Sequence, residues 1–180
     1  MPTPPVLHHR QSHRLHGYDY SQPGIYSVTL CTQDRRPFFG RVENGQMRLS
    51  PAGELVRSIW EQIPSAYPDV ALDVSQVMPN HMHGMVILGH RVTPESAPAL
   101  GEIIRRFKML TTRRYAEHVH RDGWPPFPDR LWQRDYYDHI VRGDRTLEAI
   151  RRYIVENLAQ WATDPENPSV VTVRTPIRGS

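Results

Sequence analysis

An α+β fold is what this sequence predicts: a ferredoxin-like antiparallel sheet with helices packed on one face. Three observations carry it. Alternating or β-branched runs at residues 25–32, "DVALDVSQVMP" and "HMHGMVILG" read as strands. Two stretches, one from Leu100 and one from Asp144, repeat apolar residues at helical spacing. Only Pro79 and Asn80 separate the second strand from the third, so those two strands must be antiparallel neighbours. The resulting order, β, α, β, β, α, β, α, makes a single sheet with helices laid on it.

Taken in order, residues 1–23 are rich in Pro, His and Arg and read as a basic arm or irregular lead-in. The first strand follows at 25–32. The turn-rich "TQDRRPFFG" leads to "RVENGQMRLS", whose Asn44-Gly45 pair signals a small hairpin. Ser50 is placed to cap a helix that has Pro51 at its first position and Leu55, Ile59 and Ile63 on one face, to about Pro64. After the second and third strands and a loop at 90–98, a helix carries Leu100, Ile103, Ile104, Phe107 and Leu110 on its apolar side. Arg105, Arg106 and Arg113 lie on another arc, either a solvated face or one that meets DNA. "WPPFPD" is a loop, and "LWQRDYYDHIVR" reads as a fourth strand. Asp144 is expected to cap a last helix with the stripe Leu147, Ile150, Ile154, Leu158 and Trp161. The chain thus divides into an arm at 1–23, a domain at 24–163 and a tail at 164–180 that looks peripheral.

Composition bounds the class. The chain has 180 residues, 38% hydrophobic and 23% charged, with a net charge of +3 and a pI of about 9.2. Those values suit one globular domain. Lys108 is its only lysine, so the basic side is almost all arginine, which suits bidentate contact with phosphate. The single cysteine, Cys31, excludes an internal disulfide and a multi-cysteine zinc site, and its apolar setting points to burial. The N-terminus lacks the apolar core of a secretory signal, and no apolar stretch approaches the ~20 residues of a membrane span. A cytoplasmic location, with any DNA partner at the nucleoid, is the expectation.

The chemistry concentrates in "VMPNHMHGMVIL". Alternate side chains of a strand share a face, so His81 and His83 project together while Met82 turns to the core. Two imidazoles side by side can present two donors to one ion, or they can be ordinary polar residues at a strand edge. A catalytic metal needs a third donor. On the last helix Tyr153 and Asn157 are four residues apart and lie in one column beside the apolar stripe. Asn157 can offer an amide oxygen to a hard cation, and Tyr153 a phenolic oxygen; a packed tyrosine beside a surface asparagine is the plainer reading.

The stretches "GYDYSQPGIYSVTLCTQDRRPFFG", "VMPNHMHGMVIL", "FKMLTTRR", "LWQRDYYDHIVRGD" and "LEAIRRYIVENLAQW" together resemble the HUH single-tyrosine transposases, most closely the REP-associated tyrosine transposases. The resemblance covers most of residues 17–161. It implies that His81 and His83 are paired metal ligands, Tyr153 the nucleophile and Asn157 the polar residue that completes the metal site. Asn157 is followed by Leu158, where many relatives carry proline.

The implied reaction is metal-assisted strand transfer. A divalent ion, Mg²⁺ or Mn²⁺, would polarise the scissile phosphate. Tyr153 would attack in line, release a 3′-hydroxyl and leave a 5′-phosphotyrosine. One phosphodiester replaces another, so a second 3′-hydroxyl can reverse the step without ATP. Tyr136 and Tyr137 are weaker rival nucleophiles, without a ligand partner one turn away. The implied substrate is single-stranded DNA with hairpin or palindromic repeats. Trp132, Gln133, Arg134, Tyr18 and Tyr20 are candidates to stack on or contact exposed bases, although Tyr and Trp serve cores equally well. His8, His9, Arg10, His13, Arg14 and His16 are candidates for phosphate contacts in the arm. Both a monomer and a homodimer remain open.

Three other functions compete. A histidine-triad nucleotide phosphohydrolase would need a third histidine where Met85 stands. A non-catalytic DNA-binding or regulatory relative would share the fold. A plain metal-binding module would leave Tyr153 without a purpose.

Overall fold

The computed structural model describes residues 18–89, 98–164 and 166–168. Its centre is a four-stranded antiparallel sheet of β1 (Gly24–Cys31), β4 (Val70–Val77), β5 (His81–Leu88) and β6 (Tyr137–Val141), in the order β4-β5-β1-β6. The β2 (Gly40–Glu43) and β3 (Gln46–Leu49) strands form a separate hairpin. It turns at Asn44 and Gly45, both at left-handed φ (51° and 70°), as the tightest hairpin loops require. The helices are α1 (Pro51–Glu61), the single turn α2 (Ile63–Ala66), α3 (Leu100–Asp122) and α4 (Asp144–Glu156). Ser50 caps α1 as its sequence position suggests, its hydroxyl accepting from Gly53 N at 3.1 Å.

Strand alternation sorts the side chains of β1 and β5. Tyr26, Val28 and Leu30 of β1 and Met82, Val86 and Leu88 of β5 enter one core with Val56 and Trp60 of α1 and Ile103, Ile104 and Phe107 of α3. Burial of apolar side chains of this size contributes roughly 1.5–3 kcal/mol each. Gly84 is the tightest point. A Cβ there would sit 2.3 Å from Trp60 Cζ2, so the indole lies directly on the backbone of β5.

The α+β class and antiparallel sheet are as the sequence implies, but the helices divide between the two faces. The first and third helices cover the face that holds Met82 and Val86, whereas α4 crosses the other, over β4 and beside His83. Several details also differ. In α1 the buried positions are Ala52, Gly53, Val56 and Trp60; Leu55 and Ile59 are half-buried, and Ile63 belongs to α2. A helix aimed into the core needs the residues that meet Gly84, and Trp60 fills that gap better than Ile59. The third helix runs on to Asp122, where Gly123 stops it at φ 68°. The predicted fourth strand is real only from Tyr137. Its first half is held irregularly: Trp132 pairs with Thr32 in one isolated bridge, and Lys108 Nζ donates to the carbonyls of Gln133, Arg134 and Asp135 at 2.9–3.3 Å. At α4 the capping position is Gly143, not Asp144, and of the predicted stripe only Ile154 is fully buried. The arm residues up to 17 and residues 90–97 of the expected loop lie outside the described residues.

Gly84→Ala should destabilise the fold by about 1–3 kcal/mol through overpacking against Trp60. Urea unfolding of the two proteins measures this; an unchanged midpoint would show that the indole has room to move.

Candidate active site

The non-core face of β5 presents His81 and His83, 0% and 4% exposed. Their Nε2 atoms are 3.1 Å apart and their ring centroids 4.7 Å. Each Nδ1 is engaged from behind. His81 Nδ1 meets Asn80 Oδ1 at 2.8 Å, and His83 Nδ1 meets Thr29 Oγ1 at 2.8 Å. Thr29 is the direct cross-strand partner of His83, so the register of β1 on β5 supplies that contact. Burial, reinforced by the neighbouring His81, pushes the His83 pKa down to about 3. His83 is therefore neutral at physiological pH, with one ring nitrogen protonated and the other not.

The fourth helix brings Tyr153 and Asn157 to this pair. The Tyr153 ring lies 5.5 Å from the His83 ring, edge to face, and Tyr153 keeps 36% of its surface exposed. Burial raises its pKa above the ordinary phenol value, the nearby Asp164 carboxylate raises it further, and a hydrogen bond from Asn157 opposes both. Asn157, at the C-cap of α4, is 2% exposed, and its Oδ1 has no hydrogen-bond partner among the described residues. A buried acceptor left alone costs about 1–3 kcal/mol, so this oxygen awaits a donor or a cation. Two imidazole nitrogens and one amide oxygen form a mixed set that accommodates Mn²⁺ somewhat better than Mg²⁺. Among the described residues no three His, Cys, Asp or Glu side chains are grouped for a metal; the Asn157 amide is a side chain that could add a donor to the two histidines.

The segment after α4 is not peripheral. Asp164, Glu166 and Asn167 are buried. Glu166 pairs with Arg35 at 2.9 Å, its carbonyl accepts from Asn80 Nδ2 at 2.6 Å, and Asn167 Nδ2 donates to Trp161 O at 2.8 Å. Trp161 in turn lies 5.9 Å from the His81 ring. Polar residues in "TDPEN" read as a tail because their partners, Asn80 and Arg35, are distant in sequence. Asn80 and Thr29 were also missed, although the residue before a His-x-His pair is an obvious place to look for its support.

What anchors α4 is largely polar. Arg151, two residues before Tyr153, donates through Nη2 and Nε to Asp73 Oδ2 at 2.6 and 3.0 Å. Asp73 sits where β4 shifts register against β5, between Leu72 and Ser75. The Arg151 guanidinium holds the Asp73 carboxyl below its ordinary pKa, against the effect of burial.

The proposed base contacts scatter. Trp132 is 3% exposed, with its indole N–H on Thr111 Oγ1 at 2.8 Å, so it belongs to the core and cannot stack on a base. Gln133 uses its amide on Thr32 O at 3.1 Å, whereas Arg134 is exposed. Tyr18 and Tyr20 pack against each other and Tyr20 against Tyr26. Arg105, Arg106 and Arg113 are exposed on α3, on the sheet face opposite Tyr153; Arg106 lies over the Tyr67 ring and Arg113 pairs with Glu117. Of the rival tyrosines, Tyr137 lies opposite Thr29 on the His83 face, while the Tyr136 ring is 5.3 Å from Lys108 Nζ. The histidines and arginines of the arm, from His8 to His16, lie outside the described residues.

The fold is similar to that of a solved structure described as a REP-associated tyrosine transposase bound to a REP hairpin. That likeness has a TM-score of 0.54 at 19% identity, over 77% of this chain and 68% of the other, and it is one of fold. A family model described as IS200-like transposase matches residues 24–157, from the first residue of β1 to the Asn157 cap. The chain belongs to the IS200-like transposase family. It is also 32% identical over 177 residues to a protein of Haemophilus influenzae described as uncharacterized, which covers 88% of this chain and 93% of that protein. No described helix is long and apolar enough to cross a membrane.

The Asp73–Arg151 pair should give the fold an acid-sensitive component. A carboxylate with a lowered folded pKa stabilises fully above its unfolded pKa of about 4, and that contribution is lost as pH falls through the folded value. Melting curves of wild type and Asp73→Asn should differ at neutral pH and converge as pH falls below the ordinary carboxylate range. A gap that stayed constant into acid would assign the stabilisation to something other than this charge.

Proposed function

We propose that this protein cleaves and rejoins single-stranded DNA at hairpin or palindromic repeats, with Tyr153 as nucleophile and His81, His83 and Asn157 as the ligands of a divalent ion. Membership of a transposase family supports a DNA-processing role. The observation that carries the finer reading is local: two histidine Nε2 atoms converge at 3.1 Å, the Tyr153 ring lies 5.5 Å from that of His83, and Asn157, which hydrogen-bonds Tyr153, keeps a buried Oδ1 with no partner among the described residues.

When bound, the ion supplies Lewis-acid polarisation of the scissile phosphate. The protein residues do the rest. Tyr153 Oη forms a bond to phosphorus, in line with the bond to the 3′-oxygen that breaks. The phenol loses its proton and the departing 3′-oxygen gains one, so a free 3′-hydroxyl and a 5′-phosphotyrosine result. With its pKa raised by burial and by Asp164, the resting Tyr153 is a neutral phenol; it is kept unreactive until a phosphate is present to draw on its oxygen. The hydrogen bond from Asn157 points the ring and favours the phenolate as it forms. Attack by another 3′-hydroxyl reverses the sequence and rejoins strands. The solved relative in complex with a REP hairpin supports DNA hairpins as the substrate class. The strand has room to approach because Tyr153 is partly exposed.

A non-catalytic DNA-binding role is the second reading, and the exposed arginines of α3 would serve it without the site. Incubation with a 5′-labelled and a 3′-labelled single-stranded hairpin and Mn²⁺ separates the two. The protein should become covalently attached to the 5′ end of the released fragment. Tyr153→Phe should lower adduct formation by at least ~10³-fold, as loss of a nucleophile does, with hairpin affinity retained. An adduct that persisted in Tyr153→Phe and vanished in Tyr137→Phe would move the nucleophile to β6; no adduct with any hairpin would favour the binding role.

A further inference from the structure

Asn80 ends the three-residue link between β4 and β5 and is fully buried. Its side chain is saturated in a way that leaves no freedom. Nδ2 donates to Arg35 O at 3.0 Å and to Glu166 O at 2.6 Å. Both partners are backbone carbonyls, which only accept, so both amide hydrogens are used and the amide cannot be turned over. Oδ1, which also only accepts, is therefore the atom that faces His81 Nδ1 at 2.8 Å. His81 must carry its proton on Nδ1. Neutral His81 then has its lone pair on Nε2, aimed at His83.

His83 is supported differently. Its Nδ1 meets the Thr29 hydroxyl at 2.8 Å, and a hydroxyl can donate or accept. At 3.1 Å one Nε2 donates to the other, and His81 has no proton there to give, so His83 is the donor and Thr29 donates to His83 Nδ1. To offer Nε2 to a cation, His83 would carry its proton on Nδ1 instead, and the Thr29 hydroxyl, which can donate or accept, would then accept it. One histidine is fixed and its partner adjusts.

The protein maintains this arrangement at some cost. Asp34 and Arg35 are both held at left-handed φ (56° and 55°). For residues with a Cβ that conformation is unfavourable. It is the turn that delivers Arg35 O to Asn80, while the Arg35 side chain pairs with Glu166. The segment beyond α4 thereby reaches His81 through one amide.

We propose that Asn80 is a positioning residue that locks His81 in the Nδ1–H tautomer and so turns its Nε2 lone pair to the cation, with Thr29 as the adjustable support of His83. This rests on the reading of His81 and His83 as ligands. The test uses the full chain labelled with ¹⁵N-histidine and stripped of cations with EDTA. Long-range ¹H–¹⁵N correlation reports the tautomer of each ring, and the His81 signals are those lost in His81→Gln. Wild-type His81 should show a protonated Nδ1 and an unprotonated Nε2. Asn80→Leu should release it to the Nε2–H form and weaken Mn²⁺ binding by ~10- to 100-fold, the usual effect of losing such a support. Asn80→Asp keeps an acceptor oxygen and should keep the Nδ1–H tautomer even where loss of the Glu166 and Arg35 contacts lowers the melting temperature. Thr29→Val should leave the His81 signals in place while weakening Mn²⁺ binding. A wild-type His81 protonated on Nε2 would overturn the proposal, and it needs no variant to fold. A wild type with Nδ1–H on His81 but no Mn²⁺ binding would support Asn80's role and overturn the metal reading instead.

Discussion

Every second side chain of β5 belongs to the core and every other one to the site, and the pairing of β1 against β5 keeps the two sets apart. Met82, Gly84 and Val86 face Trp60 and α3, while His81 and His83 face α4. A slip of one residue would exchange the faces. It would place two imidazoles in an apolar core and leave methionines before Tyr153. The indole of Trp60 over Gly84 blocks such a slip, because no other residue of β5 lacks a Cβ. The same pairing puts Thr29 opposite His83. Core packing and site geometry are therefore one constraint, which is why a glycine that touches no ligand matters to the chemistry.

The rest of the site is held by polar contacts between segments far apart in sequence. Little of α4 is buried beyond Ile154, and Arg151 ties it to the irregular part of β4. The segment from Asp164 returns across the link before β5, where Asn80 and Arg35 receive it. A helix held this way can shift with modest loss of burial, and Tyr153, partly exposed on its outer side, is the residue such a shift would move. The histidines differ: both are buried and met from behind at Nδ1, and burial holds His83 neutral. The site thus joins a rigid pair of imidazoles to a more loosely anchored tyrosine.

Sequence pattern made the strands legible because their alternation is strict, and His81 and His83 could be assigned to one face from that alone. Tyr153 and Asn157 followed from helical spacing. The division of helices between the two faces was not legible, since α1, α3 and α4 are all amphipathic and spacing does not say which face of the sheet a helix chooses. Trp132 misled for the reason aromatic residues often do: the same ring suits a base or a core, and here Thr111 and Phe107 claim it. Asn80 and Glu166 escaped because their roles depend on contacts across 86 residues of chain. Long-range hydrogen bonds leave no period in a sequence.

The central claim is that three side chains from two elements converge on one cation. Crystals soaked in Mn²⁺ and measured at the manganese absorption edge test it directly. The account predicts one strong anomalous peak within roughly 2–2.5 Å of His81 Nε2, His83 Nε2 and Asn157 Oδ1, the ordinary range for such ligands. A peak away from the histidines, or none there at saturating Mn²⁺, would contradict it.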